Sequence, residues 1–145
     1  MTIELSVGAI IRYKTNGNSN SNSRDHAEFL LLRNKRGFWG FPQGHKEKGE
    51  NEIQTLEREV HEETGIIDLD IHQYIGKIQY KYFRADGIRS EKEVKFYFAT
   101  TTTREVIISN EHEDFKWTTY FDALSLLDHR QLKCIILKGR RKGLY

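Results

Sequence analysis

Apolar positions along this chain change period several times, and each change predicts an element. Ile3 to Tyr13 and Glu28 to Arg33 are β-rich and apolar, which predicts two strands. Between them KTNGNSNSNSRDH has almost nothing to bury and predicts a mobile hairpin loop. Asn34 to Gly44, NKRGFWGFPQG, reads as a glycine-bearing turn region around the chain's only proline, Pro42. From Asn51 to Gly65 the period becomes helical: Asn51 caps the start, Gln54 completes a capping box, Ile53, Leu56 and Val60 form an apolar stripe, and Gly65 stops the helix. Asp70 to Phe83 and Glu93 to Thr102 predict two further strands joined by RADGIRS, and Phe115 to Tyr120 a short one. Two helices close the chain, one near Tyr120 to Leu127 and one starting at Asp128, whose Leu132, Ile135 and Ile136 recur at helical spacing. No repeat or internal boundary interrupts this order, so the expectation is a single α/β domain spanning residues 1–145.

Composition narrows the class without naming a chemistry. With 37% hydrophobic and 30% charged residues, no apolar run approaches the roughly 20 residues that a membrane helix needs. The N-terminal stretch TIELSVGAIIRY carries an acid near its start and reads as a strand, not a signal, which points to a cytoplasmic protein, expected as a monomer with a dimer left open. The single cysteine, Cys134, cannot form an internal disulfide and is expected to pack a helix beside Ile135 and Ile136. Net charge is only +2, but Lys138, Arg140, Arg141 and Lys142 gather at the end of the last helix. Cations there suit the negative end of the helix dipole; steering of polyanions is the alternative.

The helix from Asn51 to Gly65 carries the sharpest signal. Glu59, Glu62 and Glu63 fall at i, i+3 and i+4 and share one edge, beside the apolar stripe. Like charges so spaced repel by a few tenths of a kcal/mol per pair on a bare helix. A hard divalent cation would neutralise them, and magnesium or manganese binds through a few carboxylates together with substrate phosphates. A merely solvated acidic face remains the alternative from spacing alone. Arg58, next to that edge, is placed to pair with Glu62 or to reach back toward Glu50, an orienting task.

Gly44, five residues, Glu50, seven residues, then Arg58-Glu59-Val60-His61-Glu62-Glu63-Thr64-Gly65-Ile66 resembles a complete Nudix box, with every specified position filled. The resemblance implies an α/β/α sandwich with a mixed central sheet that hydrolyses a nucleoside diphosphate linked to another group, using Mg2+ or Mn2+. Carried over position by position, the metal ligands would be Glu59, Glu62, Glu63 and the backbone carbonyl of Gly44. No box position is degraded, which argues against a catalytically silent nucleotide sensor.

Two further patterns bear on the substrate. Trp39-Gly40-Phe41-Pro42-Gln43-Gly44 is similar to the entry of bacterial RNA 5′-pyrophosphohydrolases, whereas His45 fits the Pro-Lys-Gly-His of asymmetric diadenosine tetraphosphate hydrolases, from which Gln43 departs. Ser109-Asn110-Glu111-His112-Glu113-Asp114-Phe115-Lys116-Trp117 resembles a segment of the diadenosine group, in which Glu111 would lie near the box metals as a ligand or base and His112 near phosphates. Tyr82, preferred over Tyr80 and Phe83, would stack a purine. Lys92, or its alternative Lys95, would bind phosphate, and Gln43 and His45 would touch substrate. Arg33, Lys35 and Arg36 are more often merely solvated. The implied reaction is metal-assisted attack of water on phosphorus, with Glu59 or Glu111 as base and Glu62 supporting the metal. Diadenosine tetraphosphate would give ATP and AMP; an RNA 5′ end or another nucleoside di- or triphosphate is the alternative substrate.

Overall fold

The computed structural model describes residues 2–15 and 26–145. Its elements run β1 (Thr2–Tyr13), β2 (Glu28–Asn34), β3 (Trp39–Gly40), β4 (Gln43–His45), α1 (Glu52–Thr64), β5 (Asp70–Phe83), β6 (Arg89–Thr101), β7 (His112–Thr119), α2 (Tyr120–Leu126) and α3 (Arg130–Arg141). The loop expected over 14–26 falls, at residues 16–25, outside the described residues.

Strand alternation builds two cores. In β1, Val7, Ala9 and Ile11 point to one side and Ile10 to the other; in β2, Leu30 and Leu32 oppose Phe29 and Leu31. One side packs against Leu56 and Val60 of α1, the other against Ala123 of α2 and Leu132, Ile135 and Ile136 of α3. A sheet buried on both faces between helices is the α/β/α sandwich that the resemblance implies.

The sheet runs β3-β2-β1-β6-β5, with β4 joined to β1 and β7 to β2. β1 and β6 pair in parallel over their whole length, while the other pairings are antiparallel, so the sheet is mixed. The register of β1 with β4 is Ser6 to His45, Val7 to Gly44 and Gly8 to Gln43. This short pairing matters most, because it fixes Gln43, Gly44 and His45 directly beneath α1.

Several elements differ from expectation. The region 34–44 is not all turn, since β3 and the start of β4 lie in it; strands of two or three residues show no period and exist through their partners. β6 begins at Arg89 instead of Glu93, because pairing with β5 continues to Phe83–Arg89 and tightens the turn to Arg84–Ile88 around Gly87. β7 begins at His112, three residues before the expected Phe115, paired to β2 across a register shift. Cys134 is exposed: Leu132, Ile135 and Ile136 point inward from α3 and turn the cysteine to solvent. The terminal cations are surface groups, with Arg140 stacked 4.2 Å from the Tyr120 ring centre and Lys142 Nζ donating to the Tyr74 carbonyl at 3.4 Å. Among the described residues, no helix is long and apolar enough to cross a membrane.

Candidate active site

The sequence dictates both ends of α1. Asn51 Oδ1 accepts from the Gln54 N–H at 2.8 Å while Gln54 Oε1 accepts from the Asn51 N–H at 2.9 Å, a closed capping box. Gly65 ends the helix at φ 77°, a left-handed conformation suited to glycine, and its N–H donates to the His61 carbonyl. Leu56 and Val60 are fully buried, but Ile53 of the expected stripe is exposed. In that first turn Glu52, not Ile53, engages the sheet: it accepts from Tyr97 at 2.7 Å and from Lys95 at 3.0 Å.

The acidic edge of α1 faces a cleft of about 480 Å³ lined by Gly44, His45, Glu59, Glu62, Glu63, Lys92 and Glu111, with Ser109 and Asn110 beside them. Seven residues named from sequence therefore meet in one place, from β4, α1, β6 and the loop before β7. Depth differs along the edge. Glu63 is only 5% exposed and accepts from the Gln43 N–H at 3.2 Å; Glu59 is half-buried; Glu62 and Glu111 are exposed. Burial pushes the Glu63 carboxyl up to about 8, against the pull of the Gln43 N–H, and the neighbouring Glu59, Glu111 and Glu62 push it further. Burial likewise raises Glu59, opposed by Arg58 and assisted by Glu62 and Glu111.

Arg58 orders this edge. Its Nε donates to Glu50 Oε2 at 2.6 Å, its Nη1 to Glu59 Oε1 at 2.8 Å and to Glu62 at 3.3 Å, and its Nη2 to the His45 carbonyl at 2.9 Å. Both partners proposed for it from sequence are thus engaged at once, and its hydrogen bond holds the Glu50 carboxyl down at about 2.

The donor set fits a hard divalent cation. Four carboxylates with nearby backbone carbonyls offer hard oxygen donors, one of them is buried among like charges, and among the described residues Lys92 is the lysine that lines the cleft. Gly44 passes so close to α1 that a Cβ there would lie 1.8 Å from Glu59 Cδ, which keeps its backbone against the carboxylates. Among the described residues no finished cage of three acidic, imidazole or thiol ligands has formed. Glu59 is turned to Arg58 and Glu63 to the Gln43 N–H, so holding a cation would exchange part of these hydrogen bonds for coordination.

A second cleft, about 240 Å³, opens on the other side of Gln43 and is lined by Phe38, Trp39, Phe41, Tyr80, His112 and His129, with Asn34 and Leu132. Its walls are rings: His129 lies 5.9 Å from Phe38 and 6.2 Å from Tyr80 between centroids. Tyr82 does not reach this cleft. Its hydroxyl lies by Glu4, whose carboxylate raises its pKa, and Phe83 is largely exposed. Lys95 is bound to Glu52 and also lies outside both clefts. Arg33 sits 3.1 Å from Glu113, Lys35 and Arg36 are exposed, and Trp117 packs on the α1-side core with its Nε1 donating to the Arg104 carbonyl. Burial lowers His112. Of the aromatic candidates for stacking a base it is Tyr80 that lines this cleft, since alternation ranks Tyr80 and Tyr82 equally; Phe38 and His129 carry no sequence signal, because His129 meets Phe38 only through the tertiary fold.

The chain belongs to the Nudix family, whose NUDIX domain matches residues 17–137. It is thereby a pyrophosphohydrolase acting on phosphorus-containing anhydrides. Nudix hydrolases generally need a divalent metal. Among relatives, the asymmetrical bis(5′-nucleosyl)-tetraphosphatase of Caenorhabditis elegans is 32% identical over 116 residues, 77% of this chain and 81% of that protein. An RNA pyrophosphohydrolase of Francisella tularensis is 29% identical over 113 residues, 68% of this chain and 73% of the relative. Of solved structures, a binary complex of C. elegans Ap4A hydrolase superposes with a TM-score of 0.74 at 29% identity, covering 97% of this chain and 98% of that one.

Proposed function

We propose that this chain hydrolyses dinucleoside polyphosphates, converting diadenosine tetraphosphate to ATP and AMP, as a single Nudix domain over residues 1–145. The observation that carries this reading is the junction of two clefts at Gln43–Gly44: carboxylates for a metal-bound polyphosphate on one side, aromatic rings for a base on the other. The similarity to bis(5′-nucleosyl)-tetraphosphatases over most of both chains supports it.

In this reading Glu59, Glu62, Glu63 and the Gly44 carbonyl would hold Mg2+ or Mn2+, with Glu111 beside them. When bound, the cation neutralises polyphosphate charge and acidifies a water. Arg58 keeps Glu59 and Glu62 oriented, and Lys92 and His45, which line the same cleft, contact phosphate. His112 contacts substrate from the aromatic side. Glu111 accepts the proton of the attacking water, because it is exposed to solvent whereas one Glu59 oxygen is committed to Arg58. In-line attack away from the centre of the tetraphosphate leaves ATP on one side and AMP on the other.

An RNA 5′-pyrophosphohydrolase is the second reading, favoured by Trp39 to Gly44 and by the Francisella relative. Product analysis separates the two. The protein with Mg2+ is given diadenosine tetraphosphate and 5′-triphosphorylated RNA, with Glu62→Gln as control. ATP plus AMP, lost in the control, supports the first reading; pyrophosphate from RNA with the dinucleotide untouched supports the second.

A further inference from the structure

Gln43 lines the aromatic cleft, and its backbone also reaches a carboxylate of the acidic one. Its backbone N–H donates to Glu63 Oε2 on the acidic side at 3.2 Å, and its place in β4 opposite Gly8 fixes the main chain. Its side chain instead lines the aromatic cleft, where Oε1 is buried and makes no hydrogen bond to the described residues; His112 Nδ1, on the same cleft, is also buried and unpaired. Buried polar atoms in folded proteins are nearly always partnered, so two orphans in one ring-walled cleft mark a place where a partner arrives.

The chemistry of Oε1 limits what that partner is. A side-chain carbonyl only accepts, so a phosphate, which offers acceptors alone at neutral pH, cannot satisfy it. A donor on a base or a ribose hydroxyl can. The cleft around it is walled by the rings of Phe38, Trp39, Phe41 and Tyr80, a lining suited to a flat ring system whose polar edge would meet Gln43 and His112.

We propose that Gln43 is a specificity-determining residue whose Oε1 accepts a hydrogen bond from an exocyclic amine of the nucleobase in the aromatic cleft, selecting bases such as adenine over those lacking that amine. His112 Nδ1 pairs with the neighbouring ring nitrogen. The assignment rests on the reading of the site as a nucleotide site, and it deepens that reading by naming the base edge that is sensed. A base without the amine strands a buried acceptor, and stranding a polar group in a built site discriminates far more strongly than loss of an equal apolar area.

Binding of AMP is compared with binding of purine riboside 5′-monophosphate, identical but for the missing 6-amino group, by calorimetry in Mg2+. Neither contains an anhydride, so no turnover intervenes. The native protein should prefer AMP by about 10-fold or more. Gln43→Leu and the near-isosteric Gln43→Met should bring the two affinities together by weakening AMP, while Gln43→Glu, which keeps an acceptor, should retain the preference as overall affinity falls. Equal affinities in the native protein, a preference unchanged in Gln43→Leu and Gln43→Met, or no AMP binding would each overturn the proposal. Failure of dinucleotide hydrolysis appears instead in the product assay and leaves this affinity ratio readable.

Discussion

Gly44 and Glu59, fifteen positions apart in sequence, touch: a Cβ on Gly44 would stand 1.8 Å from Glu59 Cδ and 2.0 Å from its Oε2. The glycine of the box is therefore a spacing device between β4 and α1. Gly44→Ala should push the Glu59 carboxylate aside or lift β4, with a destabilisation of about 1–3 kcal/mol from overpacking. Displacement by about 1 Å at the reacting centre should lower kcat/KM by roughly 10²-fold. Thermal melts and steady-state kinetics on the same preparation check both.

Glu111 and Glu59 are distinguished by their partners. Removing a true base costs about 10²–10⁴ in rate, so Glu111→Gln should reduce kcat by that factor with little change in melting temperature, because its side chain is exposed. Glu59→Gln should also lower kcat, but with weaker metal dependence and a shifted melt, since Glu59 is tied to Arg58. Near-native turnover in Glu111→Gln would reassign the base.

Chelation should abolish turnover and leave far-UV circular dichroism unchanged, because α1 is anchored by Leu56, Val60 and its capping box independently of a cation. Adding Mg2+ at about 100 times its Kd should stabilise the fold by about 2.7 kcal/mol. Complete unfolding in chelator would instead make the cation structural.

Tyr80, which lines the aromatic cleft, and Tyr82, which lies outside it beside Glu4, are told apart by their effects on KM. Tyr80→Leu should raise KM about 10-fold through lost base stacking, and Tyr82→Leu should leave it nearly unchanged. The reverse order would restore Tyr82 as the stacking residue.

Asp68 links α1's exit to the end of β6. It accepts from Thr101 Oγ1 at 2.6 Å, Thr102 N at 2.9 Å, Thr102 Oγ1 at 2.6 Å and Thr103 Oγ1 at 2.7 Å. Burial opposes ionisation, but these bonds outweigh it and hold the carboxyl well below the usual range. With the folded pKa depressed, the unfolded chain binds the extra proton first, so the contribution is present above about pH 4 and lost as pH falls below it. Asp68→Ala should melt lower than the native protein at pH 7, and the gap should narrow toward pH 2.

Local rules made much of the fold and half of the site readable. The caps of α1 at Asn51, Gln54 and Gly65, the strands Asp70–Phe83 and Glu28 to Arg33, and the inward set Leu132, Ile135 and Ile136 follow from periodicity and short-range hydrogen bonding, which are properties of neighbouring residues. The common edge of Glu59, Glu62 and Glu63 follows from helical geometry alone. Tertiary packing decided how deeply each carboxylate is buried, that Ile53 and Cys134 face solvent, that Lys92 and not Lys95 joins the acidic cleft, and that Tyr80 and not Tyr82 walls the aromatic one. Those outcomes depend on which distant segment lies opposite, β4 against α1 and α3 against β5. A spacing of two or four residues carries no record of such partners.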